Sequence, residues 1–249
     1  MKCIGIIPAR YGSTRFPGKP LADIRGKTMI RRVYEQACKC RALSEVVVAT
    51  DHPLIYDHVQ SFGKVVMTST SHQSGTDRCR EALEGTFGNG YSGEDVVVNI
   101  QGDEPLIHPR QIELLTGAFT DPGVRIASLM KKIDSAGELF DENVVKVVVN
   151  AHSNAIYFSR LPVPFYRGLA REQWLASGTW YRHIGLYGYR INALHATGRL
   201  PASRLEQAES LEQLRWIEHG MQIHMIETNI ESLSVDTPDD LKKLPELPD

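Results

Sequence analysis

Short apolar runs rich in β-branched residues recur through the first half of the chain, each bounded by polar residues, glycine or proline. Runs of this length and composition are typical of buried strands and are too short to be helices. They cover Ile4–Ile7, Val46–Ala49, Val65–Met67 and Val96–Ile100. We therefore predict four strands in the first hundred residues.

Amphipathic segments alternate with these strands. Met29–Ala37 places its apolar side chains on one helical stripe, and Pro109–Phe119 carries apolar residues at the same spacing. Asp51, just ahead of Pro53, has the residue type of a helix N-cap followed by a first-turn proline. Alternation of apolar strands and helices predicts an α/β fold, with a mainly parallel sheet covered by helices.

The pattern changes beyond about residue 123, where strand-like runs follow one another with little helix between them. These runs are Ile126–Met130, Val144–Val149, Ile156–Phe158 and Ile184–Tyr189. Since no linker rich in proline or serine divides the halves, we interpret them as a mixed or antiparallel extension of the same sheet. Residues 1–249 are therefore predicted to form one domain, with helices at Leu211–Gly220 and after Thr237 near the end.

Composition narrows the functional classes. The 249 residues are 42% hydrophobic and 23% charged, with a formal net charge of −2, as in soluble globular proteins. This balance gives no bulk reason to expect nucleic acid or an anionic membrane as a partner. No apolar window is long enough for a membrane span, and the four cysteines include no C-x-x-C pair, so we expect a reduced, cytoplasmic protein.

Candidate phosphate-binding chemistry follows the first strand, in the loop IIPARYGSTRFPGKP at Ile6–Pro20. Arg10, Arg15 and Lys19 stand there among small residues, which let backbone N–H groups approach phosphate oxygens while the cations offset their charge. The spacing matches neither a Walker A loop nor G-x-G-x-x-G. The alternative is a structural loop whose basic side chains are solvated.

Carboxylates follow the fourth strand, in VVVNIQGDEP at Val96–Pro105. Asp103 and Glu104 should lie at the same sheet edge as the basic loop, because ligands bind at the carboxyl ends of parallel strands. Mg²⁺ that bridges a protein to substrate phosphates typically uses one or two carboxylates, and Asp236 in SVDTPDD is a second candidate ligand. The alternative for each aspartate is a turn or a helix cap.

Seven sequence blocks in order resemble the sugar-acid cytidylyltransferases. The first loop, SGTDR (Ser74–Arg78) and NIQGDEP (Asn99–Pro105) are similar to the signature of that family. Four later blocks resemble its 3-deoxy-manno-octulosonate branch: SRLPVPFYR (Ser159–Arg167), YRHIGLYGYR (Tyr181–Arg190), LEQAESLEQLR (Leu205–Arg215) and VDTPDDL (Val235–Leu241). The chain departs from the family pattern at Gly12 and Gly188, where alanine is expected, and at Ser234, where glycine is common.

The resemblance implies an Mg²⁺-dependent enzyme of the nucleotide-diphospho-sugar transferase fold that transfers CMP from CTP to 3-deoxy-D-manno-octulosonate and releases pyrophosphate. It assigns nucleotide contacts to Pro8, Ala9, Arg10, Ser13, Arg15, Lys19, Thr76, Arg78, Gln101 and Asp103. Lys19, Arg15, Asp103 and Asp236 would be catalytic, and the two aspartates would hold Mg²⁺. It assigns sugar contacts to Arg160, Arg167, His183, Tyr187, Glu212 and Gln213.

The resemblance also implies a homodimer paired through strands around residues 140–190, and a product used in lipopolysaccharide biosynthesis. Two alternatives stay open at this point. One is cytidylyl transfer to another acidic sugar, of the sialic-acid type or an amino-substituted octulosonate. The other is a non-catalytic nucleotide-binding module.

Overall fold

Eleven β-strands lie within residues 1–12, 16–72, 74–87 and 90–245, which the computed structural model describes. They are β1 (Cys3–Ala9), β2 (Asp23–Ile24), β3 (Lys27–Thr28), β4 (Glu45–Thr50), β5 (Val65–Met67), β6 (Val96–Asn99), β7 (Ile126–Lys132), β8 (Lys146–Val149), β9 (Ala155–Ser159), β10 (Tyr181–Arg190) and β11 (His224–Glu227). Strands β2 and β3 form a small hairpin, and the other nine form one sheet.

Nine α-helices flank the strands in the same described ranges. They are α1 (Met29–Cys38), α2 (Pro53–Gln60), α3 (Gly75–Phe87), α4 (Pro109–Gly117), α5 (Ala136–Phe140), α6 (Trp174–Ser177), α7 (Ile191–Thr197), α8 (Arg204–Glu209) and α9 (Gln213–Glu218). Among them, none combines the length and the apolar character that crossing a bilayer requires.

The main sheet runs in the order β11-β7-β10-β6-β1-β4-β5. Strands β5, β4, β1 and β6 are mutually parallel, as their apolar first-half runs predict. Strand β10 lies antiparallel between β6 and β7. Strand β8 pairs with the first residues of β10, and β9 pairs with β8, so these two strands extend the sheet. The predicted parallel sheet with a mixed extension is therefore confirmed.

Both faces of the sheet are buried. In β1, Cys3 and Ile7 join one hydrophobic core, and Ile4 and Ile6 join the other, because successive side chains of a strand point to opposite faces. This two-sided burial explains the uninterrupted apolar runs of the parallel strands. Helix α1 covers one face with the stripe that the sequence predicted.

Strand β10 carries second-half residues to the functional edge of the sheet. Tyr187 pairs with Asn99, the last residue of β6, so the part of β10 that precedes Tyr187 runs past the carboxyl end of β6. A register shift between Ile184 and Tyr187 interrupts the pairing with β7 there. His183 and its neighbours therefore lie beyond β6, beside the segment that begins at Gln101.

Some local predictions differ from the structure. The predicted N-cap at Asp51 is wrong, because the side chain of His52 accepts the capping hydrogen bond from Leu54 N and Asp51 pairs elsewhere. The helix predicted after Thr237 is a single 3-10 turn at Asp240–Lys243. The α-helix predicted over Leu211–Gly220 covers only Gln213–Glu218.

Two glycines that depart from the family pattern have different surroundings. A Cβ atom on Gly188 would lie 2.7 Å from Phe119 Cε2 in the core, so the ring would have to shift to admit a larger residue. Apart from Gly12 itself and its chain neighbours, no atom of the described residues lies within 4 Å of a Cβ placed on Gly12. Packing therefore explains the glycine at position 188 and does not explain the one at position 12.

Candidate active site

Two neighbouring cavities lie at the carboxyl ends of β1 and β6. The first has a volume of about 350 Å³. It is lined by Pro8, Ala9, Arg10, Lys19, Pro20, His72, Ser74, Gly75, Arg78, Gln101, Gly102, Asp103 and Asp236. The structure thus brings together the basic loop, the start of α3 and both predicted aspartates, as the sheet-edge rule leads us to expect.

Lys19 links the two aspartates at the edge of this cavity. Its Nζ atom lies 2.8 Å from Asp103 Oδ2 and 3.3 Å from Asp236 Oδ1. Lys19 opens a 3-10 turn, and Gly18 before it has a φ of 69°, a conformation that glycine adopts at little cost. The ammonium group therefore stands between two carboxylates that are distant in sequence.

Asp236 reaches the site through a hydrogen-bonded segment. Val235 N donates to Asp103 O at 2.9 Å, which ties this segment to the loop that follows β6. The Asp240 carboxylate accepts hydrogen bonds from the backbone N–H groups of Asp236 and Thr237. Hydrogen bonds from Lys243 and Thr237 hold the pKa of Asp240 below its usual range, so the carboxylate stays ionised and keeps this turn closed.

Glycines bring the backbone of the cavity close to β1. A Cβ atom on Gly102 would lie 2.7 Å from Pro8 O, and one on Gly75 would lie 3.2 Å from Pro8 Cγ. A larger residue at position 102 would therefore force the loop away from the strand. Gln101 beside it donates a hydrogen bond from Nε2 to Gly185 O at 3.0 Å, which fixes the loop to β10.

Arg78 lines the first cavity with its charge already paired. Its Nη2 atom lies 2.8 Å from Asp51 Oδ2, and its Nη1 atom donates to Thr68 Oγ1 at 2.6 Å. Asp51 Oδ1 also accepts from Tyr11 N at 3.4 Å. Asp51 thus connects α3 to the basic loop. The sequence did not indicate this role, because the position of Asp51 before Pro53 suggested a helix N-cap.

The second cavity adjoins the first and has a volume of about 440 Å³. Gln101 and Asp103 line both cavities. The rest of the second lining consists of Glu104, Asn143, Val144, Val145, Arg182, His183, Ile184, Gly185, Tyr187, Leu211, Gln213, Ser232 and Ser234. The predicted sugar contacts His183, Tyr187 and Gln213 line this cavity, whereas Arg182, Ser232 and Ser234 were not among the predicted site residues.

His183 is a neutral, partly buried side chain in this second cavity. Burial lowers its pKa to about 3, and its Nε2 atom lies 2.9 Å from Ser128 Oγ. The rings of His183 and Tyr187 are 5.2 Å apart between centroids. Burial also raises the pKa of Tyr187, so both rings offer neutral hydrogen-bonding groups.

Glu104 adds a carboxyl group that the sequence predicted at this sheet edge without a specific role. Burial raises its pKa to about 7, and the hydroxyl of Ser232 hydrogen-bonds to it. It directly follows Asp103, whose negative charge also raises the pKa of Glu104. The signal in the sequence was its place, with Asp103, just after an apolar strand whose carboxyl end faces the site.

Four of the predicted site residues lie outside the lining of both cavities. Thr76 Oγ1 donates to Glu212 Oε2 at 2.9 Å, so these two side chains pair with each other. Arg160 donates to the carbonyls of Glu209 and Glu142 at 2.8 and 3.1 Å. Arg167 is exposed in the segment after β9. Ser13 and Arg15 fall outside the described residues.

The donor chemistry around Lys19 fits a hard divalent cation. Asp103 and Asp236 present carboxylate oxygens to one point, and Mg²⁺ binds oxygen ligands while keeping several waters or substrate phosphates. Within the described residues, no three His, Cys, Asp or Glu side chains form a preformed metal site. Two carboxylates open to solvent suit an ion that arrives with a nucleotide.

A family model described as cytidylyltransferase matches residues 4–223, and the chain belongs to this cytidylyltransferase family. Within the family, its similarity is to the 3-deoxy-manno-octulosonate cytidylyltransferases, which confirms the resemblance seen in the motifs. The proteins of that name from Parabacteroides distasonis and Phocaeicola vulgatus are 53% and 52% identical to it. Each comparison covers 98% of this chain and 96% of the relative.

A solved structure extends this similarity to three dimensions. A CMP:2-keto-3-deoxy-manno-octonic acid synthetase complexed with CTP superimposes with a TM-score of 0.88 at 44% identity. The comparison covers 98% of this chain and 96% of that one. The nucleotidyltransferase fold predicted from the sequence is therefore confirmed.

Proposed function

We propose that this chain transfers CMP from CTP to the anomeric hydroxyl of 3-deoxy-D-manno-octulosonate and releases pyrophosphate. The names of its relatives and the CTP complex of the similar synthetase support the chemistry. The main observation behind this proposal is that Gln101 and Asp103 line both cavities and form the wall between them. A reaction that joins a nucleotide to a sugar needs two adjacent sites that meet at the reacting atoms.

We place the nucleotide in the first cavity. Arg10 and Lys19 supply positive charge for the triphosphate, and Ser13 and Arg15 of the same loop are proposed to add to it. Pro8, Ala9 and Gln101 also line this cavity, and we propose that their backbone and amide groups select cytosine. Arg78 lines the same wall, but Asp51 holds its guanidinium, so it shapes the cavity more than it neutralises phosphate.

We propose that Asp103 and Asp236 hold Mg²⁺ when the nucleotide binds. Bound magnesium supplies charge compensation for the phosphates and lowers the pKa of the attacking hydroxyl. Lys19 now lies between these carboxylates, and its flexible side chain can instead bind the leaving pyrophosphate. The aspartates fix the position of the reacting groups, and Lys19 stabilises the charge that develops on the leaving group.

We place the acceptor sugar in the second cavity. The anomeric oxygen forms its bond to the α-phosphorus while the bond from that phosphorus to pyrophosphate breaks, with no covalent enzyme intermediate. His183, Tyr187 and Gln213 bind sugar hydroxyls. Burial lowers the pKa of His183 and weakens it as a base, so we assign it to positioning the sugar. Arg160, Arg167 and Glu212 lie outside the lining of this cavity and are further proposed sugar contacts.

We further propose a homodimer paired around residues 140–190 and a cytoplasmic location, with the product used for lipopolysaccharide. Ile156, Leu161 and Phe165 in this stretch are large apolar side chains more than half exposed, as at unpaired interfaces. All four cysteines are free thiols, which agrees with a reducing compartment. Sedimentation of the purified chain tests the dimer, and fractionation of its source cells tests the location.

The deciding experiment measures pyrophosphate release from CTP and MgCl₂, with and without 3-deoxy-D-manno-octulosonate. A sialic acid and an 8-amino analogue of the octulosonate serve as acceptor controls, and EDTA tests the metal. Release that requires the octulosonate and magnesium is the expected result. Release only with a control sugar would move the specificity, and CTP binding without release under any condition would leave a non-catalytic nucleotide-binding module.

A further inference from the structure

The second cavity holds one fixed positive charge. Among the described residues that line it, Arg182 is the only lysine or arginine, and Asp103 and Glu104 add negative charge. His183 is neutral because burial lowers its pKa. An acidic sugar in this cavity therefore meets Arg182 as its natural partner, since a guanidinium matches a carboxylate in both charge and geometry.

Arg182 is partly buried and stands beside a second cation. It pairs across the sheet with Lys131 of β7, and the exposed fractions of the two side chains are 14% and 11%. Like charges at directly opposed strand positions repel one another, and burial strengthens the repulsion. The pair therefore requires an anion, whatever else the site contains.

Glu231 supplies that anion. One of its carboxylate oxygens contacts Lys131 Nζ and the other contacts Arg182 Nη2. Its side chain is 59% exposed, so it can leave this position without crossing packed structure. Glu138 is the other acidic partner of Arg182, at 3.5 Å from Nε.

We propose that Arg182 binds the carboxylate of the acceptor sugar and that Glu231 occupies this position until the acceptor arrives. The exchange of one carboxylate for another keeps the charge at Arg182 balanced, and Glu231 retains Lys131 as a partner. Arg182 thus determines specificity for an acid, and Glu231 is an internal competitor that lowers acceptor affinity. This inference rests on the proposed function, because it takes the acceptor to be an acidic sugar.

The test compares the octulosonate with its carboxamide, which lacks the negative charge, as acceptors and in calorimetric titrations. The wild-type chain should prefer the acid, and Arg182→Gln should weaken binding of the acid by about 10- to 100-fold while hardly changing binding of the amide. Arg182→Lys should restore part of the preference. Lys132→Gln, the same loss of charge at the exposed neighbouring position on β7, should have no effect.

Glu231→Gln provides the second arm. Removal of the competitor should lower the KM for the acid by about 3- to 10-fold and leave the KM for CTP unchanged, whereas Glu227→Gln, four residues earlier and also exposed, should change neither. The melting temperature and CTP affinity of each variant report its folding.

Persistence of the acid preference in Arg182→Gln would place the carboxylate elsewhere and overturn the proposal. A raised acceptor KM in Glu231→Gln would also overturn the proposal, because Glu231 would then hold Arg182 in its binding position instead of competing with the acceptor. Failure of the proposed function is distinguishable, since the wild-type chain would then release no pyrophosphate with the octulosonate.

Discussion

The ion pair between Asp51 and Arg78 fixes the relation between the basic loop and α3. The exposed fractions of the two side chains are 14% and 4%, so removal of Asp51 would leave a guanidinium buried without its anion. Thr68 and Ser69 would still accept hydrogen bonds from Arg78 but carry no charge. We therefore expect Asp51→Ala to lower the free energy of unfolding by about 3–5 kcal/mol, as measured for broken buried pairs.

Urea unfolding gives this number directly, and calorimetry should show a melting temperature lower by roughly 10 °C for a chain of this size. Asp57→Ala, an exposed aspartate on the next helix, is the matched control and should stay within about 0.5 kcal/mol of the wild type. The double variant Asp51→Ala/Arg78→Met should be more stable than Asp51→Ala alone, because no buried charge remains.

The same substitution should weaken CTP binding. Asp51 also accepts the N–H of Tyr11, and Tyr11 O accepts a hydrogen bond from Gly18 N just before Lys19. Loss of the carboxylate therefore loosens both ends of the loop that lines the first cavity. A loss of stability under about 1 kcal/mol, or additive effects in the double variant, would refute this account of the pair.

Four further outcomes follow from the structure. Lys19→Met should lower pyrophosphate release by about 10²–10³-fold with an unchanged melting temperature; near-normal turnover would contradict its role at the leaving group. Gly188→Ala should cost about 1–3 kcal/mol in urea unfolding because its methyl group meets Phe119, whereas Gly12→Ala should cost under about 0.5 kcal/mol. The pKa of Glu104 is raised to about 7, so its protonated form favours the folded state and this contribution is lost as pH rises from about 4.5 through 7. Urea unfolding should therefore show Glu104→Gln gaining about 3 kcal/mol relative to the wild type between pH 4.5 and pH 8, and a pH-independent difference would refute the assignment. His183→Asn should raise the acceptor KM and leave the shape of the pH–rate profile unchanged, since the ring is neutral; loss of a limb near pH 6–7 would make His183 a base.

Local patterns in the sequence determined the secondary structure where apolar residues form a continuous strand buried on both faces, or a regular helical stripe. The strand predicted at Val65–Met67 has the same bounds in the structure, and the stripe of Met29–Ala37 forms α1. Strand β11 and helix α3 were not predicted. The polar segment that contains β11 and the mixed composition of α3 give weak periodicity, and pairing with β7 or packing on β1 stabilises them instead.

The motifs likewise determined which residue types surround the first cavity. Arg10, Lys19, Gln101 and Asp103 each follow an apolar strand, and the carboxyl ends of parallel strands meet at one edge. The local sequence pattern alone therefore predicts that these residues lie at the functional edge of the sheet. Whether Asp236 joined them depended on a contact across 217 positions, which no local pattern encodes.

Only the tertiary structure decided how each charged group is used. Asp51 has the residue type of an N-cap, yet the position of Arg78 makes it an ion-pair partner. Arg182 stands next to the predicted His183, but only the pairing of β10 with β7 sets it beside Lys131 and Glu231. The sequence lists the chemical groups and their strands, whereas the energy of a buried charge depends on which groups lie within a few ångströms of it, and long-range packing alone fixes those distances.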